Sequence, residues 1–165
     1  MKGKYKNIET QLIRSGELEP RVLGAVSMPV FQSSTFEYGG EEGYDSIRYI
    51  RLNNTPNHVV LNKKIADLES AEAAMVTSSG MAAITTSLLT ILNKGDHLLA
   101  QNSLYGGTFD FITKDLAQYG IEFDLIDGDK PEQWDSMLKP NTKAIYVESI
   151  TNPLMQVCDL KRVVK

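Results

Sequence analysis

The sequence predicts an α/β fold: a mainly parallel sheet with helices on both faces. Three observations carry this. From His58 onward, short strand-like runs alternate with segments of helical period. The helical segments stop at turn residues, notably Gly95 and Gly120. The composition is that of a globular domain, 42% hydrophobic and 23% charged, and the 165 residues suffice to bury a core.

The elements follow in order. Thr10–Ser15 is a short helix candidate in an otherwise irregular start. Val59, Val60, Leu61, Ile65, Ala66 and Leu68 suit one face of a helix. Ala73–Thr77 is a short apolar run, a strand candidate. Gly80–Asn93 reads as a largely apolar helix stopped by Gly95. Asp96–Gln101 is a strand. Thr108–Tyr119 is a helix with Phe109, Ile112, Leu116 and Tyr119 on one side, closed by Gly120. Ile121–Ile126 is a strand. Pro131–Leu138 is a helix opened by its proline. Lys143–Ser149 is a strand, and a last helix begins at Asp159.

Texture divides the chain. Residues 1–60 carry seven basic and seven acidic groups and half of the twelve glycines; residues 61–165 carry ten basic and fourteen acidic. The first part reads as an extended arm that packs on something else, with a flexible break at Gly39, Gly40 and Gly43. Its aromatics, Phe31, Phe36, Tyr38, Tyr44 and Tyr49, argue against a disordered leader. The second part is the regular α/β region.

Composition also excludes. The net charge, 17 − 21 = −4, opposes non-specific nucleic-acid binding. No apolar run approaches the roughly 20 residues of a membrane helix, so no membrane partner is expected. Met1–Thr10 has no apolar stretch of the secretory type. A single cysteine, Cys158, points to a reducing, cytoplasmic setting, and two histidines leave too few ligands for structural zinc. His58, His97 and Trp134 read as structural residues, and no base stands by to activate Cys158.

Parallel sheets bind ligands at the carboxyl ends of their strands, so the chemistry is sought in the loops. Ser78-Ser79-Gly80-Met81-Ala82-Ala83 precedes a helix. Unpaired amides, a positive dipole end and two hydroxyls make a phosphate cradle there, or else a plain serine cap. It is neither a Walker loop nor a dinucleotide fingerprint. Tyr105-Gly106-Gly107-Thr108 lets a ring stand over a flat ligand, or packs a tyrosine at a helix start. Glu148-Ser149-Ile150-Thr151-Asn152-Pro153 offers the Asn152 amide to a phenolic oxygen, and Asn152–Pro153 is a candidate cis bond; a turn with a polar cap is the alternative. Tyr49-Ile50-Arg51, if extended, puts a phenol and a guanidinium on one side, a phosphate-binding pair or a solvated arginine.

The order of these pieces resembles one family. Tyr49-x-Arg51, Leu68-Glu69, Ser79-Gly80-Met81-Ala82-Ala83, Gly95-Asp96, Leu104-Tyr105-Gly106-Gly107-Thr108, Gly120-Ile121, Glu148-Ser149 and Thr151-Asn152-Pro153-Leu154 with Asp159 together resemble the Cys/Met-metabolism enzymes that use pyridoxal 5′-phosphate. The resemblance begins near Arg21. It implies a type I aminotransferase-like fold, truncated here, with residues 1–60 reaching a neighbouring subunit and 61–165 as the first part of the cofactor domain. It implies a homo-oligomer, a tetramer by family pattern, or a complementing C-terminal fragment as partner. The substrate class is a small amino acid bearing sulfur or an O-acyl group, subject to β- or γ-elimination or γ-replacement. Ser79, Gly80 and Met81 would hold the cofactor phosphate. Tyr105 would stack on the ring and assist proton transfer, Asn152 would bind the ring hydroxyl oxygen, and Tyr49 and Arg51 would clasp a partner's phosphate. Glu148 falls at a motif position in a supporting role.

Two departures stand out. The arm reads Asn53-Asn54-Thr55-Pro56 where the family has Asn-Pro-Thr. The Ser-x-Thr-Lys segment with the Schiff-base lysine, and the aspartate for the ring nitrogen, are absent from the chain, so the resemblance implies an incomplete and inactive unit.

Overall fold

The computed structural model describes residues 5–40 and 43–164. The centre of the predicted glycine break, residues 41–42, and the terminal Lys165 lie outside the described residues. The chain forms two compact units, Met1–Val76 and Thr77–Lys165. Residue 60, where sequence texture changes, falls inside a helix.

The first unit holds α1 (Ile8–Arg14) and α2 (Pro56–Leu68). Between them run three single 3₁₀ turns, at Val22–Gly24, Tyr44–Ser46 and Ile50–Leu52. The first helix starts two residues earlier than predicted. Pro56 opens α2 at its first turn, where a missing N–H costs nothing. The expected apolar face of α2 is narrower than predicted: Val60 and Ala66 are buried, while Val59, Leu61 and Ile65 remain exposed. The helix that packs there, α1, has seven residues, too few to cover a wide stripe. Gly16 lets that contact close. Its φ is +77°, and an added Cβ would run into the Val60 carbonyl and the Lys64 amide nitrogen. Lys64 Nζ then donates to the Leu12 and Ile13 carbonyls at 3.1 and 3.2 Å, satisfying the end of α1. The Asn57 amide pins the strap, donating to Phe31 O at 2.6 Å and accepting from Phe31 N–H at 3.0 Å.

The second unit is α/β. Its elements are α3 (Gly80–Ile91), β1 (His97–Gln101), α4 (Gly106–Asp110), β2 (Glu122–Ile126), α5 (Trp134–Met137), β3 (Thr142–Tyr146) and α6 (Leu160–Val163). The sheet order is β2-β1-β3, all parallel. Leu98 and Ala100 of β1 face one layer, with Leu88 of α3, Leu92 just after it, and Phe111, Ile112 and Leu116 after α4. Leu99 faces the other, with Ile126, Trp134, Met137 and Val163. The alternation of β1 thus buries both faces, and all five of its residues are buried.

Four predicted elements differ, one of them the helix expected over Pro131–Leu138, whose proline opens a 3₁₀ turn at Pro131–Gln133 before α5 begins. Ala73–Thr77 forms no strand, because Val76 N–H is taken by Asn62 Oδ1 at 2.8 Å rather than by a neighbouring strand. The strand expected over Lys143–Ser149 leaves the sheet after Tyr146, since Glu148 N–H turns to the Gln101 side chain. The helix expected from Thr108 begins at Gly106 and passes into a π-helical turn at Phe111–Leu116. The i→i+5 pairing rotates its inner face. Thr108, Phe111, Ile112 and Leu116 are buried, whereas Phe109 and Tyr119 stay exposed.

Candidate functional site

The carboxyl ends of β1 and β3 open onto one place in the second unit. Ser79 caps α3 there: its Oγ accepts from Ala82 N–H at 3.0 Å, and Ala83 N–H bonds Ser79 O at 3.1 Å. The helix has no internal partner for the Gly80 and Met81 amides. Gly80 has nothing within 4 Å of where a Cβ would stand, so the start of α3 is uncrowded on that side.

Tyr105 leads into α4 and its ring is 48% exposed. Gly107 packs beneath it. A Cβ on Gly107 would lie 2.8 Å from the Tyr105 ring and 3.2 Å from Met81 Sδ. That contact brings the starts of α3 and α4 together. The buried Thr108 hydroxyl donates to Met81 Sδ at 3.9 Å. Burial pushes the Tyr146 phenol above its ordinary pKa, so it stays protonated at neutral pH.

The third loop closes from β3. Glu148 N–H donates to Gln101 Oε1 at 3.3 Å, and the Glu148 carboxylate accepts from Tyr105 N–H through both oxygens, at 3.1 and 3.2 Å. The Asn152–Pro153 bond is cis, as the sequence suggested. Asn152 is exposed at the tip of a hairpin held by the Ile150–Val157 bridge and by Thr151 N–H to Gln156 O at 2.9 Å.

Tyr49 and Arg51 belong to the first unit. The expected extended segment is instead a 3₁₀ turn at Ile50–Leu52, which folds the guanidinium over the phenol at 4.9 Å from its centroid. The two side chains meet by stacking rather than by strand alternation. The Asn54 amide fixes the turn, accepting from Tyr49 N–H at 2.9 Å and donating to Ile47 O at 2.7 Å. The asparagine that departs from the family pattern thus holds the Tyr-Arg pair in place.

The chain matches the family model described as "Cys/Met metabolism PLP-dependent enzyme" over residues 9–165. The chain belongs to this family. An L-methionine gamma-lyase of Treponema denticola is 40% identical over 93% of this chain and 40% of its own length. The solved structure of metB from Corynebacterium glutamicum superposes with a TM-score of 0.87 at 32% identity, over 96% of this chain and 41% of that one. An O-acetylhomoserine (thiol)-lyase, metY, of Campylobacter jejuni superposes at 0.85 with 26% identity, over 96% of this chain and 41% of that one, and carries N′-pyridoxyl-lysine-5′-monophosphate. The chain thus spans about 40% of the length of the relatives it matches and shares their type I fold. Pyridoxal phosphate is the family's cofactor.

Four contributors escaped the sequence reading or were underrated by it. Gln101, Thr108 and Tyr146 are buried or half-buried polar groups that link the loops. Glu148 carried only a motif match. The available signal was position: each lies at the end of a strand or the first turn of a helix beside a loop singled out above. Elsewhere the structural assignments stand. His97 is fully buried, its Nδ1 2.7 Å from Thr142 Oγ1. Its Nε2 faces Asp124 Oδ2 at 3.2 Å without hydrogen-bond alignment, so that contact is electrostatic. Trp134 is buried and donates to Asp127 O at 3.1 Å. Burial raises the pKa of Cys158, which leaves it a poor nucleophile.

Proposed function

We propose that these residues form the phosphate- and ring-holding part of an enzyme that performs β- or γ-elimination or γ-replacement on sulfur or O-acyl amino acids. The observation that carries the reading is the Gly107 contact, which sets the Tyr105 ring beside the start of α3. The residues present suit the family's cofactor: the free amides of Gly80 and Met81 and the Ser79 hydroxyl suit a phosphate, and an exposed ring on glycine suits a flat pyridine. Asn152 supplies an amide for the ring hydroxyl oxygen. When bound, pyridoxal phosphate serves as an electron sink for a substrate carbanion. The protein's own part is to hold the phosphate, to support the ring and, at the Tyr105 hydroxyl, to hold or release a proton.

Residues 1–60 act in this reading as an arm reaching a neighbouring subunit, with Arg51 and Tyr49 directed to the partner's phosphate in a cytoplasmic homo-oligomer, a tetramer by family pattern. The lysine and aspartate that the chemistry requires are not among these 165 residues. The chain alone therefore binds without turnover, and a complementing C-terminal fragment is the partner that would restore it.

The test adds pyridoxal phosphate to the purified chain, measures binding by equilibrium dialysis, then reduces with borohydride and maps lysine adducts. Saturable binding that weakens in Ser79→Ala, with no stoichiometric adduct at one lysine, is expected. No saturable binding would sink the cradle. A single specific adduct would overturn the assignment of the catalytic lysine outside the chain.

A further inference from the structure

We propose that Glu148 is a positioning residue for Tyr105, and that Gln101 sets Glu148. The inference rests on the ring-holding reading above and adds the device that fixes the ring's height and direction. Tyr105 stands at the turn into α4, where no helical carbonyl can take its N–H. Glu148 takes it instead. Both carboxylate oxygens lie within 3.2 Å of that nitrogen, a charge-assisted and forked arrangement. The loop after β1 is thereby tied to the loop after β3, across 43 residues of sequence.

The Glu148 backbone is itself held from behind. Gln101 is 1% exposed, and its Oε1 accepts from Glu148 N–H at 3.3 Å. Gln101 is buried and packs over Gly128, where an added Cβ would fall 2.5 Å from its Nε2. A rigid strand end thus sets Gln101, Gln101 sets the Glu148 backbone, and Glu148 sets the Tyr105 backbone. On the other side Gly107 lies against the ring, and Met81 lies against Gly107. A tyrosine held at its backbone N–H and packed at its ring against Gly107 has less freedom to move, which is what stacking on a flat ligand requires. The glutamate also answers why an acid stands beside a proposed anion site: its charge is spent on a backbone N–H.

The test has two independent arms on the intact chain. In the first, amide exchange and the ¹H shift of Tyr105 are followed by NMR without ligand, with Leu99 as the reference amide. Glu148→Ala should speed Tyr105 exchange at least about tenfold and shift its proton upfield, while Glu148→Gln, which keeps an acceptor oxygen, should restore most of the protection. Gln101→Met should give an intermediate effect. Unchanged Tyr105 exchange in Glu148→Ala, with Leu99 also unchanged, would overturn the proposal; loss of protection at Leu99 as well would make Glu148 a general fold contact and overturn it too. In the second arm, pyridoxal phosphate is titrated. Its dissociation constant should rise about tenfold in Glu148→Ala and stay within about twofold in Glu148→Gln. Equal affinity in all three proteins would overturn the positioning role. If the unaltered chain binds no pyridoxal phosphate, the cofactor reading fails, and the exchange arm still decides whether Glu148 holds Tyr105.

Discussion

Asp124 shows how a single side chain ties the sheet together. Lys139 Nζ lies 2.7 Å from its Oδ2, and His97 faces the same oxygen. The lysine's hydrogen bond, foremost, draws the carboxyl below its ordinary value of 3.8 against a smaller opposing effect of burial. A depressed carboxyl stabilises the fold above its unfolded pKa and loses that contribution as pH falls through its folded value. Acid unfolding should therefore steepen below about pH 4, and Asp124→Asn should flatten that limb while lowering stability at neutral pH. Circular dichroism melts between pH 2 and 7, as approximate bounds set by the carboxyl range, read both. Cys158 gives a second residue-scale prediction. It is buried and its pKa is raised by that burial and by Asp159 and Asp129. Its reaction with a thiol reagent at neutral pH should be more than about tenfold slower than that of free cysteine, and guanidinium should abolish the difference. Equal rates in native and denatured chain would show the thiol to be accessible.

At the scale of elements, glycines decide which helices approach. Gly107→Ala would need the Tyr105 ring and Met81 to move by several tenths of an ångström, so the expected cost is about 1–3 kcal/mol of stability, together with weaker pyridoxal phosphate binding. Gly16→Ala adds a left-handed φ to a backbone clash against α2 and should cost at least about 1–2 kcal/mol. Urea denaturation with the midpoint compared at fixed slope measures both. The π-helical turn after α4 works by another route. It places Phe111, Ile112 and Leu116 inward together, so Leu116→Ala should cost about 2–5 kcal/mol, and Phe109→Ala, on the outer side, should cost much less. The helical period in the sequence located this helix and two of its inward residues, Ile112 and Leu116, but turned Phe109 and Tyr119 inward as well, because 3.6-residue spacing assumes i→i+4 pairing throughout.

At the scale of the molecule, apolar surface remains open in the second unit. Ile145, Ile150, Leu154, Met155, Val157 and Leu160 are all more than a third exposed, and β3 is an edge strand among the described residues. Exposed apolar edges recruit other chains. Light scattering should show concentration-dependent association, reduced by Ile145→Lys with Val157→Lys. A monomer unchanged across concentration would contradict this. The first unit likewise leaves Leu23, Val30 and Ile13 exposed.

The sequence by itself determined the α/β class, the order and approximate limits of α2, α3, β1 and β2, and the family, because periodicity, glycine stops and motif order are written along the chain. It also marked Ser79, Tyr105 and Asn152 as loop residues at strand ends or helix starts. Only the tertiary structure decided what those residues touch. Gln101 reaches Glu148 across 47 residues, and Glu148 reaches Tyr105 across 43; no local pattern encodes such pairs. It also decided that Ala73–Thr77 is no strand and that Tyr49 meets Arg51 by stacking. A strand exists only when a neighbour takes its hydrogen bonds, and a side chain's direction follows from the turn that carries it.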